Sequence, residues 1–135
     1  MRIYFDSCII IYLVERTASW HPRVDEAFTR LGDPPPTVVF SDLNRLERRA
    51  HPLETNDLSS LAAFDDFFSR VGLSYQPMNA GVFDLATELR ARHRLKTPDA
   101  LHGAAAITAH CDAFWTNDHR LADALSDRIE IFVPA

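Results

Sequence analysis

Residues 96–106 read Lys96-Thr-Pro-Asp-Ala-Leu-His-Gly-Ala-Ala-Ala106 and predict a helix packed inside the protein, with a carboxylate in its first turn. Pro98 suits the first helical position, where its missing N–H costs nothing, and the residues after Asp99 are apolar on nearly every side. Because a charge carried into an interior must be paired, metal-bound or neutralised, Asp99 needs a partner. Taken alone, an acidic residue in a first turn is explained by the helix dipole.

Length and composition indicate one folded domain spanning residues 1–135. Of these 135 residues, 47% are hydrophobic, which is enough for a core without disulfides or a structural metal. We find no signal-peptide pattern and no apolar run near the roughly 18 residues of a membrane span, so we expect a cytoplasmic protein with no membrane partner. The two cysteines, Cys8 and Cys111, are far apart and are expected to be reduced core residues.

Short apolar strands alternate with helices along the chain. Strands are predicted at residues 2–6, 37–40, 113–116 and 128–133. Residues 73–76 are either an edge strand or a connector. The alternation predicts an α/β domain of three layers, with a mainly parallel central sheet of four to five short strands flanked by helices.

The helix after the second strand carries the stretch Ser41-Asp-Leu-Asn-Arg-Leu-Glu47. Ser41 is its predicted N-cap, and Pro52 is expected to end it. Its inward stripe is predicted from helical spacing to be Leu43, Leu46 and Ala50. Glu47 then lies at the edge of that stripe, where a border glutamate paired with a nearby arginine is the structural alternative.

Four acidic side chains are predicted to meet at one edge of the sheet. Asp6 and Asp118 each follow an apolar strand, at the carboxyl end where parallel sheets bind ligands. Each is also a natural N-cap or turn former, which is the structural alternative. Glu47 comes from the helix after the second strand, and Asp99 from the start of its own helix.

Converging carboxylates imply a cation between them, because like charges repel one another at close range. Oxygen donors with no cysteine or lysine nearby favour Mg²⁺ or Mn²⁺ over zinc. The chemistry that suits such a site is hydrolysis of a phosphodiester, with the metal activating a water and stabilising the leaving oxygen.

Two basic clusters are the candidate contacts with nucleic acid. A net charge of −5 argues against a phosphate-binding surface overall. The candidate phosphate contacts in these clusters are Arg45, Arg48, Arg49, Arg92 and Arg94. Solvated helix faces explain the same clusters about equally well.

The ordered motifs resemble the PIN-domain family, specifically the VapC-type toxins of bacterial toxin–antitoxin systems. They are Ile3-Tyr-Phe-Asp6-Ser7, Ser41-Asp-Leu-Asn-Arg-Leu-Glu47, Thr97-Pro-Asp99-Ala-Leu-His102-Gly-Ala-Ala-Ala and Phe114-Trp-Thr-Asn-Asp118. The resemblance covers essentially the whole chain. It implies an endoribonuclease that depends on Mg²⁺, with Mn²⁺ as a substitute, and that acts on RNA as a homodimer. It also implies a cognate VapB-type antitoxin whose C-terminal segment lies across the site and holds the enzyme inactive.

The same resemblance implies a role for each site residue. The acidic catalytic quartet is Asp6, Glu47, Asp99 and Asp118. Of these, Asp6 and Asp99 are the expected direct metal ligands, and the other two bind the metal directly or through water. Supporting positions are Ser7, Thr116 and Asn117. His102 is expected to serve helix packing and not catalysis.

Three other interpretations exist for residues of this kind, and the first two fail because this chain lacks a residue that they require. A haloacid-dehalogenase-type phosphatase needs a second aspartate two residues after Asp6, where this chain has Cys8. A receiver-type signalling domain needs a lysine after a late strand, but Lys96 is the only lysine and precedes a helix. A catalytically inactive PIN-like module that binds RNA or protein is the remaining alternative, and retention of all four carboxylates argues against it.

Overall fold

The computed structural model describes residues 1–134, and within them strands and helices alternate as predicted. The strands are β1 Arg2–Phe5, β2 Thr37–Ser41, β3 Ser74–Gln76, β4 Ala113–Trp115 and β5 Glu130–Phe132. The helices are α1 Ser7–Glu15, α2 His21–Thr29, α3 Asp42–Glu54, α4 Leu58–Phe68, α5 Ala80–His93, α6 Thr97–Thr108 and α7 His119–Leu125. None of the helices among these residues is long and apolar enough to span a membrane.

The strands form one sheet in the order β3-β2-β1-β4-β5, and every pairing in it is parallel. The predicted α/β class is therefore confirmed, and residues 74–76 prove to be an edge strand. The register pairs Phe5 with Trp115, so that Asp6 and Thr116 leave the sheet side by side. Since parallel strands all end at the same edge of the sheet, the segments that follow β1, β2 and β4 lie next to one another at that edge.

Two apolar layers cover the faces of the sheet, because β1 alternates its side chains between them. Ile3 and Phe5 face the layer with α1, α2 and α4, whereas Tyr4 faces the layer with α5, α6 and α7. Helix α6 is the most deeply buried helix, as its small side chains predicted. Gly103 permits this closeness, since a Cβ there would lie 2.9 Å from Cδ2 of Leu125 in α7.

Helix α3 differs from the prediction in two ways. Pro52 does not end it, because a proline in the last turn forfeits only one backbone hydrogen bond and its ring is buried here. The predicted inward stripe is also wrong at two of its three positions: Leu43 packs against the core, but the Leu46 side chain is 63% exposed and Ala50 is exposed as well. The buried residues of α3 are Asn44 and Pro52, so the inward face of this helix is polar near the site.

Candidate active site

Asp6 ends the central strand and begins α1. Its Oδ1 accepts a hydrogen bond from the Ser7 backbone N–H at 2.8 Å, so it caps the helix as the structural alternative proposed. Its Oδ2 accepts a second bond from Thr116 Oγ1 at 2.7 Å. Thr116 Oγ1 in turn accepts from the Asp118 N–H at 3.0 Å, which ties the exits of β1 and β4 together.

Asp118 is an exposed residue that caps α7. Oδ1 accepts from the backbone N–H groups of Arg120 and Leu121, at 3.0 and 3.2 Å. Within residues 1–134 no donor bonds its Oδ2. One oxygen therefore serves the helix and leaves the other for solvent or a ligand.

Asp99 is half-buried in the first turn of α6. Burial raises its pKa above the usual range, and the neighbouring charges of Asp118 and Asp6 raise it further. No hydrogen bond to the Asp99 carboxylate is present in the described part of the chain. Asp99 therefore lies within electrostatic reach of both Asp118 and Asp6.

Glu47 is held on one oxygen only. Its Oε1 accepts from Ser7 Oγ at 2.7 Å and bonds His102 Nε2 at 2.5 Å. Burial alone would raise the pKa of Glu47, but the hydrogen bond and charge of His102, together with Ser7, lower it overall. Glu47 is thus an ionised carboxylate anchored to the protein interior.

Sequence reasoning missed the hydrogen bonds that link Glu47 through His102 to Tyr4 in the interior. His102 is 2% exposed, and its Nδ1 bonds the Tyr4 hydroxyl at 2.7 Å. Tyr4 OH also bonds Ser41 Oγ at 2.8 Å, and both residues are fully buried. His102 therefore packs inside α6 as expected, but it also contacts a candidate site residue. The one available signal was Tyr4 itself, since a tyrosine in a buried strand needs a partner for its hydroxyl.

The remaining supporting residues lie beside Asp6. Asn117 donates from Nδ2 to the Tyr12 hydroxyl at 3.1 Å, and its backbone N–H points at the Cys8 sulfur, 3.4 Å away. Burial and the charge of Asp6 raise the pKa of Cys8 to about 11, so this sulfur stays a neutral thiol. Cys8 and Cys111 are both free and only partly buried.

The five candidate arginines differ in their exposure and in their partners. Arg49 pairs with Asp65 of α4 at 2.7 Å, and Arg48 is partly buried, with no partner for its Nε in the described residues. Arg45 and Arg92 are exposed. Arg94 is exposed too, but it ends α5 in a left-handed conformation and its carbonyl accepts from Arg120.

One observation counts against a metal ion at this site, and two favour one. Among residues 1–134, no three His, Cys, Asp or Glu side chains lie close enough to hold a metal ion as they stand. The donors are nevertheless all carboxylate oxygens, as hard divalent cations prefer. A cation would also relieve the repulsion that raises the pKa of Asp99. The chemistry of the donor set therefore fits Mg²⁺ or Mn²⁺.

Fold and site together define a parallel α/β domain with carboxylates gathered where its central strands end. Comparison with protein families gives the same class: the PIN domain model matches residues 3–125, and the chain belongs to that family. No curated protein sequence matches this one.

Several solved structures share the fold. VapBC2 from Rickettsia felis, bound to a DNA fragment from its promoter, is 15% identical with a TM-score of 0.74, and the match covers 98% of each chain. VapBC-1 from nontypeable Haemophilus influenzae is 16% identical with a TM-score of 0.73, covering 99% of this chain and 98% of the other. VapC20 from Mycobacterium tuberculosis, a sarcin–ricin loop cleaving toxin, is 16% identical with a TM-score of 0.73, covering 90% and 94%. At such identities the likeness concerns the fold.

Proposed function

We propose that this protein is a Mg²⁺-dependent endoribonuclease of the VapC toxin type, in which Mn²⁺ substitutes for Mg²⁺. The observation that carries the proposal is the gathering of Asp6, Asp99 and Asp118 at one edge of the sheet of a PIN domain, where Asp118 and Asp6 add to the effect of burial in raising the pKa of Asp99. A fold gains nothing from such repulsion. The repulsion between these carboxylates is explained if a divalent cation normally binds between them at this edge of the sheet.

The four carboxylates have distinct roles in this proposal. Asp6 and Asp99 would hold the metal directly, and Glu47 and Asp118 would do so directly or through water. A metal held there would supply a bound water of lowered pKa as the nucleophile and would stabilise charge on the leaving oxygen.

The supporting residues orient these carboxylates. Thr116 fixes Oδ2 of Asp6, and Ser7 holds Oε1 of Glu47 while its own N–H bonds Oδ1 of Asp6. The lowered pKa of Glu47 keeps this side chain ionised at neutral pH, as a ligand or a base requires. Asn117 supports the same edge through Tyr12.

RNA is the proposed substrate and a VapB-type antitoxin the proposed partner. Two comparisons favour them: VapC20 is described as cleaving the sarcin–ricin loop, and several similar structures are VapBC complexes. Arg45 and Arg92 are the best placed phosphate contacts because they are exposed. Arg48 is proposed as a weaker contact because it is partly buried, and Arg49 because it pairs with Asp65. Arg94 is exposed too and is proposed as a further contact. We also propose that the enzyme acts as a homodimer.

One observation favours a second candidate, a catalytically inactive PIN-like module that binds RNA or protein. The described side chains do not place three metal ligands together. Such a module would bind its partner equally well in EDTA and in Mg²⁺.

The deciding experiment is RNA cleavage by the purified protein in Mg²⁺ and in EDTA, with two variants alongside. Asp99→Asn removes the carboxylate that we expect to bind the metal. Asp84→Asn is the matched control, an exposed aspartate on α5. We expect cleavage by the wild type and the control in Mg²⁺ only, and a loss of orders of magnitude in Asp99→Asn. Full-rate cleavage in EDTA, or an active Asp99→Asn variant, would refute the proposal.

A further inference from the structure

Six polar side chains form a closed ring of hydrogen bonds beneath the acidic edge. From β1 and the start of α1 come Tyr4 and Ser7, from β2 and α3 come Ser41, Asn44 and Glu47, and from α6 comes His102. Every member except Glu47 is at most 6% exposed. Stability does not explain such a ring, because well-packed apolar side chains would stabilise the same interior at least as well.

The ring consists of two chains of hydrogen bonds that run from Ser41 and meet at Oε1 of Glu47. On one side, the Ser41 N–H donates to Asn44 Oδ1 at 2.9 Å, and Asn44 Nδ2 donates to Ser7 Oγ at 3.1 Å. Ser7 then donates to Oε1 of Glu47. On the other side, the path runs from Ser41 through Tyr4 and His102 to the same oxygen.

The ionised carboxylate sets the direction of the bond at Nε2 of His102. It can only accept, so Nε2 carries a proton and donates. On the other side of the imidazole, Nδ1 of His102 lies 2.7 Å from the Tyr4 hydroxyl, which in turn lies 2.8 Å from Ser41 Oγ. Burial raises the pKa of Tyr4 well above its ordinary value, so its hydroxyl remains a donor.

We propose that His102, held by Tyr4, is a positioning residue. It fixes Oε1 of Glu47 toward the interior and leaves Oε2 as the oxygen that would bind a metal. The inference rests on the proposed function, since it concerns how Glu47 is presented to a metal. His102 Nε2 is also 3.7 Å from Oδ1 of Asp6, so the same nitrogen lies near two of the candidate carboxylates. Hydrogen-bonded partners of ligating carboxylates have this role in metal sites generally.

Two substitutions of His102 separate its two bonds. His102→Gln places an amide near the position of Nε2, so it keeps a donor for Glu47 and loses the bond to Tyr4. His102→Asn places its amide near Nδ1, so it keeps the bond to Tyr4 and loses the donor for Glu47. We expect His102→Asn to lower Mn²⁺ affinity and kcat by about 10- to 100-fold, the usual effect of losing an outer partner of a metal ligand, with KM for RNA nearly unchanged. His102→Gln should stay much closer to the wild type.

Tyr4→Phe tests the outer part of the path. The variant removes only the hydroxyl and keeps the stacked contact with Phe114, whose ring centroid is 5.4 Å away. Its control is Tyr75→Phe, which removes a hydroxyl bonded to Asp42, outside the ring. The ¹⁵N spectrum of histidine in EDTA should show a slowly exchanging proton on Nε2 of His102. Tyr4→Phe should change that signal and weaken Mn²⁺ binding, and Tyr75→Phe should do neither.

The outcomes distinguish this proposal from the proposed function. Equal losses in His102→Asn and His102→Gln, in step with their melting temperatures, would reduce His102 to a packing residue and overturn the inference. A wild-type His102 protonated on Nδ1 alone would overturn it too. A wild type that cleaves no RNA would defeat the proposed function, while the ¹⁵N signal and the ratio of Mn²⁺ affinities would still decide the role of His102.

Discussion

Removing charge from Glu47 and from Asp99 should change stability in opposite directions when no metal is present. Glu47 is a carboxylate that the fold stabilises, and its pKa is lowered. Asp99 is one that the fold destabilises, and its pKa is raised. The perturbations are Glu47→Gln and Asp99→Asn, each of which keeps the shape of the side chain and deletes its charge.

The size of the Glu47 effect follows from its two hydrogen bonds. In Glu47→Gln, the amide oxygen still accepts from Ser7 and His102, but two charge-assisted bonds become neutral ones. A bond to a charged group contributes about 1.5–3 kcal/mol and a neutral one about 1, so the two together lose roughly 1–4 kcal/mol. For a domain of this size each kcal/mol lowers Tm by about 4 °C, so Tm should fall by roughly 4–16 °C near neutral pH. Because the folded pKa is lowered, this stability is present above the unfolded pKa and is lost as the pH falls through the folded one.

The Asp99 effect has the opposite sign. A folded pKa above the unfolded value means that the ionised form is disfavoured in the folded state, so the destabilisation appears as the pH rises through that interval and is complete above it. At pH 7, Asp99→Asn should therefore melt at the same temperature as the wild type or somewhat above it. Solvent screens this half-buried site and keeps the gain small.

The assay is thermal unfolding of the three proteins in EDTA at pH 7 and again near pH 4. The Tm deficit of Glu47→Gln should shrink at the lower pH, where the wild-type carboxylate also begins to lose its charge. Two results would refute the reasoning: Asp99→Asn melting far below the wild type, or Glu47→Gln melting above it. Either would mean that the hydrogen bonds and repulsions described above do not govern these carboxylates.

Three further predictions concern ligands. Mg²⁺ or Mn²⁺ at about 100 times its Kd should stabilise the wild type by about 2.7 kcal/mol in calorimetric and melting experiments, and Asp6→Asn by much less; equal stabilisation of both would remove Asp6 from the metal site. Arg45→Ala and Arg92→Ala should each weaken RNA binding and flatten its log–log salt dependence by about one unit or a little less, unlike the control Arg30→Ala, whose partner is Glu26; unchanged slopes would assign these arginines to solvated faces. Expression of the chain alone should arrest bacterial growth, and co-expression of its antitoxin should restore it; harmless expression of folded, active protein would contradict the toxin role.

The α/β layers of the fold and the positions of its strands along the chain follow from short-range features of the sequence. Asp6, Asp57, Asn79 and Asp118 each cap the helix that they precede, and the apolar runs between such caps are short enough to be strands. The position of the carboxylates at one edge follows in turn from the parallel sheet. These predictions needed only residues close together in the chain.

The orientation of α3 could not be predicted in this way. Helical spacing favoured Leu46 and Ala50 as inward residues, but the inward face is set by Asn44, which donates to the Phe5 carbonyl at 3.1 Å. That bond joins residues 39 positions apart in the chain. A polar residue with a specific distant partner outweighed apolar periodicity, and the sequence carries no sign of the pairing. The link between His102 and Glu47, 55 positions apart, escaped prediction for the same reason.

The structural and functional interpretations of these carboxylates are compatible because a carboxylate has about four acceptor sites. Asp6 accepts one bond on Oδ1 and, on Oδ2, one from Thr116 and a long one of 3.9 Å from the Cys8 thiol, and Asp118 accepts two on a single oxygen. Each therefore keeps acceptor capacity for a cation after its cap is made. Glu47 commits Oε1 alone, while Asp99 commits neither oxygen among the described residues. Hydrogen bonds thus fix the orientation of three of the carboxylates. The fourth, Asp99, has no such bond among the described residues and has a raised pKa, so a cation bound beside it would favour its ionised form.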